Sequence, residues 1–190
     1  SSSEVILNFG TTLSSNEYEL FISSMLTDCP GNPGNTLHSI RLSTLEAASP
    51  GDIIVNELLY DAPIGASDFI EIFNRADHAI DVSTLKLAET TSLSSLPVGT
   101  IYNLTQEHRL IFPGEVMAFT EKKEAILDHY PSTDNYRLLS IEDLPDFNTE
   151  EGGAVLFTSD GKEVDWFPYQ SSMQFPLLRD TKGVRSGRAS

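Results

Sequence analysis

Cysteine is nearly absent. Cys29 is the single one in 190 residues, which excludes an intramolecular disulfide and any cysteine-rich metal site. It lies in a Pro/Gly turn with no base beside it, so a nucleophilic role is not expected. Basic residues are scarce, 12 Lys and Arg against 28 Asp and Glu, for a net charge of -16. Such a field repels phosphate backbones and disfavours unspecific nucleic-acid binding; it suits a salty or calcium-containing exterior. No apolar run approaches the roughly 20 residues needed to span a bilayer, so membrane insertion is not expected either. The opening Ser1-Ser2-Ser3-Glu4 is no secretory leader, and so abrupt a start reads as a fragment of something longer, with its signal elsewhere. Motifs that carry chemistry are also missing. There is no Gly-rich phosphate loop and no G-x-S-x-G elbow. The histidines His38, His78, His108 and His129 lack the spacing of a zinc or catalytic site.

What the chain does contain is strand pattern. In Ser67 to Leu87, Phe69, Glu71 and Phe73 alternate with Ile70, Ile72 and Asn74, the period of a half-buried strand. The polar turn Asn74 to His78 follows, and Ile80, Val82, Leu85 and Leu87 read as a returning strand or two short ones. Upstream, Ile53 to Tyr60 is an apolar run of one buried strand. Ile101 to Leu104 and Val116 to Phe119 are further strands. Asp160-Gly161 between Ala154-Val155-Leu156-Phe157 and Glu163-Val164-Asp165-Trp166-Phe167 is a hairpin signal. One helix is predicted, with Thr120 as N-cap and Pro131 as stop. Ser132 to Glu151 reads as irregular, anchored by Leu138-Leu139 and Leu144-Pro145. Residues 1–50 carry three strand-like runs, around Val5 to Phe9, Tyr18 to Ile22 and Leu37 to Leu45. These are too few for a sandwich of about seven strands, so they read as the end of a truncated β-domain. Ala47 to Gly51 reads as a linker, and residues 51–190 form the second domain. Many short strands, one short helix and no βαβ rhythm predict an all-β sandwich.

The order of motifs resembles the lamin tail domain, an immunoglobulin-like β-sandwich found in nuclear lamins and in bacterial surface and secreted proteins. The resemblance runs from residue 51 to about 184. It is carried by Ile53-Ile54-Val55-Asn56-Glu57-Leu58-Leu59-Tyr60, Asp68-Phe69-Ile70-Glu71-Ile72-Phe73-Asn74 and Ile80-Asp81-Val82-Ser83. It continues in Phe112-Pro113-Gly114-Glu115, the Gly153 to Gly161 hairpin, and Phe175-Pro176 ahead of Lys182-Gly183-Val184. The bacterial branch is the better fit because of the Thr120 to Pro131 segment. Two departures stand out: Thr84-Leu85 replaces the family's Gly-Trp, and the final strand loses its apolar partners. Residues 1–50 resemble the C-terminal strands of a bacterial immunoglobulin-like domain. The resemblance implies a non-catalytic extracellular interaction or spacer module of a larger secreted or surface protein, with a protein or glycan partner at the cell surface. One alternative is a carbohydrate-binding module using Trp166, Phe167 and Tyr169, with Phe175 nearby. Another is an accessory domain of a hydrolase or nuclease.

Three sets of residues are candidates for chemistry. Glu57 and Glu71, in adjacent strands, form an acid/base or metal-ligand pair on one reading. On the plainer and preferred reading they face outward or pair with Arg75 or a backbone amide. Asp28, Asn32 and Asn35 offer calcium oxygens, but Asx and Gly residues also simply make turns, so calcium is possible and not favoured. The aromatics at Trp166, Phe167 and Tyr169 suit a sugar platform or, as preferred, core packing. In the register expected here Ile70 and Ile72 are buried, and Phe69 and Phe73 are only partly covered.

Overall fold

The computed structural model describes residues 46–173 throughout, together with residues 6, 8–14, 17–22, 27, 30–32, 38–44 and 186–187. The chain divides into two compact units, Ser1–Leu45 and Glu46–Ser190. In the first, β1 (Glu17–Ile22) and β2 (His38–Ser43) form an antiparallel ribbon, with Glu17 opposite Ser43. Arg41 and Glu17 bridge its surface at 3.0 Å. Of the strand expected at Val5 to Phe9, Ile6, Asn8 and Phe9 are described and belong to no strand, while Val5 and Leu7 lie outside the described residues.

The second unit begins earlier than the linker reading allowed. Glu46 bridges to Ile80, Ala48 is buried, and the Gly51 amide donates to the Val164 carbonyl at 2.8 Å. Residues 46–50 are thus held by the sandwich. Its strands are β3 (Ile53–Leu59), β4 (Phe69–Asn74), β5 (Ile80–Asp81), β6 (Leu85–Thr90), β7 (Ile101–Asn103), β8 (Leu110–Ile111) and β9 (Val116–Thr120). After helix α1 (Lys123–His129) come β10 (Leu138–Ser140), β11 (Glu151–Thr158), β12 (Glu163–Gln170) and β13 (Ser186–Gly187). One sheet has the order β10-β9-β4-β3-β13 and the other β12-β11-β6-β7, with β5-β8 as a separate pair. This is an all-β immunoglobulin-like sandwich.

Alternation decides the inner faces. Ile70 and Ile72 of β4, Met117 and Phe119 of β9, and Ile53, Val55 and Leu58 of β3 meet Leu85, Leu87, Ala154, Leu156, Phe167 and Tyr169 of the other sheet in one core. Both Ile70 and Ile72 are fully buried, as the alternation predicts. The strand after the polar turn does not return to β4. A 3-10 turn at Val82–Thr84 carries the chain across, and β6 pairs with β11 in the opposite sheet. Asn74 anchors the corner before it. It is fully buried, its amide donates to the carbonyls of His78 and Ile111 at 2.9 and 2.8 Å, and its oxygen accepts the Ala76 amide.

Three local expectations are corrected. Phe69 is buried rather than partly covered, because α1 lays Ile126 over it beside Leu59 and Leu138. Thr120 is not the helix N-cap. It ends β9 with its hydroxyl donating to the Asp68 carbonyl at 2.7 Å, and Lys122 takes the cap position without a side-chain bond. The Leu138-Leu139 anchor is a strand, pairing in parallel with β9 from Leu138 opposite Ala118. The Asp160-Gly161 hairpin is formed, with Gly161 at φ 84° and the Thr158 amide bonded to the Lys162 carbonyl.

Candidate functional site

Four places on the second unit concentrate polar or aromatic chemistry. The first is built by an irregularity in β3. Its register against β4 slips between Val55 and Glu57, so Asn56 is an extra residue. Strict alternation from Ile53 and Val55 would carry Glu57 into the core. The bulge moves it to the outer face and places Leu58 inside instead. Glu57 then stands directly opposite Glu71. Like charges in that relation repel. The Asn56 amide donates to the Glu71 carboxylate at 2.6 Å, so Glu71 is held by a side chain rather than by Arg75 or a backbone amide. Phe69, Ile126, Tyr130 and Leu138 complete a cleft of about 320 Å³ around the pair. Both carboxylates are half-buried. An acid/base pair needs two groups of differing acidity around a reacting atom. Here Glu71 is tied to the bulge that positions its neighbour.

The second place was not visible as a sequence motif. The β5-β8 pairing brings His108 to Asp81, with Nδ1 2.7 Å from the carboxylate, and Ser83 Oγ lies 3.2 Å from the same nitrogen. Asp, His and Ser side chains meet here, but not as a hydrolytic triad. In a triad the carboxylate takes one ring nitrogen and the serine uses the other. Here Nδ1-H is committed to Asp81, leaving no lone pair on that atom to receive the serine proton. Asp81 also accepts the backbone amides of Ser83 at 2.9 Å and Arg109 at 3.3 Å. Burial alone pushes its carboxyl up, but the bonds from His108, Ser83 and Arg109 outweigh it and hold the group below the ordinary aspartate range. The arrangement caps a corner of the fold.

At one rim, Asp68, Asp61, Glu121 and Asp146 surround a second cleft of about 320 Å³. Burial raises the pKa of Asp68, and the charges of Asp61, Glu121 and Asp146 add to that against the bond from the Ala62 amide. Asp68 and Glu121 are both used locally, accepting the amides of Ala62 and Leu144 at 2.9 Å each. Among the described residues, no group of three His, Cys, Asp or Glu is placed to hold a metal ion. Asp28, Asn35 and Cys29 lie outside the described residues, and Asn32 is exposed.

The aromatics of β12 are separated by the two-residue period. Trp166 packs on the outer face with Ala88, Val155, Phe157 and Val98. Phe167 and Tyr169 point the other way, into the core. Tyr169 stacks on Tyr60 with ring centroids 4.3 Å apart and donates its hydroxyl to the Asn148 carbonyl at 2.7 Å. Burial, then the neighbouring Tyr60 and Glu89, hold its phenol above the ordinary range. Trp166, Phe167 and Tyr169 therefore share no surface on which a sugar ring could stack; Phe175 lies outside the described residues.

Comparison with known families bears on what such a scaffold does. The model of the Lamin Tail Domain family matches residues 46–171. The chain belongs to that family. The matched stretch starts at Glu46, where the second unit starts. Among curated proteins, none matches the chain. Lamin tail domains are in general non-catalytic interaction modules of immunoglobulin-like fold.

Proposed function

We propose that this lamin tail domain is a non-catalytic interaction or spacer module of a larger bacterial secreted or surface protein, working outside the cell against a protein or glycan partner. The observation that carries the reading is the way the two candidate constellations are spent. His108 offers Asp81 and Ser83 one and the same nitrogen, and Glu71 is bonded to the bulge residue Asn56. The net charge of -16 supports an exterior setting and a partner other than a phosphate polymer.

Two measurements test this. Chromogenic esters, phosphodiesters and glycosides are incubated with the full chain and with His108→Ala and Glu71→Gln. Turnover indistinguishable from buffer in all three is expected, and turnover by the parent that either substitution removes would overturn the non-catalytic reading. An antibody raised against the chain is then applied to intact and lysed source cells. Labelling of intact cells is expected, and labelling after lysis alone would overturn the exterior placement.

A further inference from the structure

The four-stranded sheet has two edges that differ in kind. At one, β12 carries Pro168, which has no N-H to offer an incoming strand. At the other, β7 is Ile101-Tyr102-Asn103, with neither proline nor lysine to blunt it. The Leu104 amide donates to the Leu85 carbonyl at 3.1 Å. Antiparallel ladders alternate every residue, so the N-H and C=O of Ile101 and Asn103 are turned away from β6. Among the described residues no strand pairs with that side of β7. A cleft of about 480 Å³ opens along it, with Ser140, Ile141, Glu142 and Asp143 on the facing wall and Glu107 at its end. Glu107 is engaged by Arg109 at 3.5 Å. No lysine or arginine lines the cleft. Ile101 is half exposed and Tyr102 half-buried, so the edge also offers apolar contact.

We propose that the β7 edge is a docking site for an extended, lysine- or arginine-bearing segment of a partner protein, which adds to the sheet as a further strand. This rests on the reading of the domain as an interaction module and names its surface and the chemistry of its partner. The outward N-H and C=O groups of Ile101 and Asn103 supply the main-chain bonds. Glu142 and Asp143 supply the charge complementarity. A second copy of this chain is disfavoured as occupant, because it brings the same acidic wall and a net charge of -16 against its own. The shortness of β7 holds the pairing to one register and makes the contact a transient one.

The test uses fluorescence anisotropy with the full chain and a labelled octapeptide of alternating lysine and valine. The comparison peptides are its alternating glutamate-valine counterpart and two versions N-methylated at every second residue, one in each phase. The lysine peptide binds saturably and the glutamate peptide does not. One of the two methylation phases weakens binding at least tenfold, because it blocks the amides facing β7. Asn103→Pro removes an outward N-H without touching the β6 ladder and also weakens binding at least tenfold. The pair Glu142→Gln and Asp143→Asn weakens it severalfold and flattens its salt dependence. If Asn103→Pro melts the fold, the methylated peptides decide the matter alone. No saturable binding at millimolar peptide, or binding indifferent to both methylation phases, overturns the proposal. So does a concentration-dependent dimer in sedimentation that Asn103→Pro abolishes, which would assign the edge to a second copy. Failure here leaves the turnover and surface-labelling tests of the broader reading untouched, since neither involves β7.

Discussion

Ile72 is the residue on which burial and register meet most directly. It is fully buried between the sheets, and truncation to alanine is expected to lower stability by about 2–5 kcal/mol in denaturant titrations. The adjacent Glu71→Gln is expected to change stability by less than about 0.5 kcal/mol, because glutamine still accepts the Asn56 bond while repulsion from Glu57 falls. Two aspartates carry opposite pH signatures. Asp81 has its folded pKa held below the ordinary 3.8. Its contribution is complete above that value and is lost as the pH falls through the folded pKa. Asp81→Asn should therefore destabilise at pH 7 by about 1–3 kcal/mol, with the gap to the parent closing in acid. Asp68 is raised, by burial first and by its acidic neighbours after. Its ionised form opposes folding at neutral pH and that penalty vanishes as the group protonates. Asp68→Asn keeps an acceptor for the Ala62 amide, so it should stabilise by about 0.5 kcal/mol at pH 7 and not at all well below pH 3.8. Thermal melts across pH 3–7 distinguish the two, and parallel curves for both variants would refute the assignment.

Among the elements, β11 is the one whose packing depends on a missing side chain. A Cβ on Gly152 would sit 2.8 Å from both the Thr90 carbonyl oxygen and the Tyr169 hydroxyl. Gly152→Ala is expected to destabilise by about 1–3 kcal/mol, and Gly10→Ala, which meets nothing within 4 Å, by less than about 0.5 kcal/mol. Equal melting temperatures for the two would contradict the close approach. Strands of this kind were legible in the sequence where the signal was local. The alternation of Ile70 and Ile72 and the Asp160-Gly161 turn depend on neighbours a few residues apart. The bulge at Asn56 was not legible, because an extra residue inside an unbroken apolar run leaves the composition of the run unchanged. Nor was β10, whose three residues count as a strand only once β9 lies beside them. Thr120 has the residue type of a cap, but the Asp68 carbonyl captures its hydroxyl from across the sheet. Asp81 and His108 meet through the β5-β8 pairing alone, 27 positions apart, and no spacing rule connects them. Trp166, Phe167 and Tyr169 looked like a cluster in the linear sequence, and the strand period divides them between two faces.

At the scale of the whole molecule the charge dominates. With a net charge of -16, the chain is expected not to bind duplex DNA, and a low-salt titration showing micromolar, salt-dependent binding would contradict this. The self-repulsion of the compact state is screened by salt, so raising ionic strength should raise the melting temperature. One consequence of the topology concerns tension. The first and last strands of the sandwich, β3 and β13, are antiparallel neighbours, with Ser186 opposite Leu58 and Gly187 opposite Glu57. The chain therefore enters β3 and leaves β13 at the same end of the sheet. A load applied between residue 46 and the C-terminus pulls these two strands apart crosswise, and their hydrogen bonds break in succession instead of sharing the load. In a single-molecule force ramp, β13 should peel away first at low force, leaving the paired sheets intact. A single all-or-none rupture would show that the edge shares the load. A spacer that yields this way would lengthen under strain before its core gives up any structure.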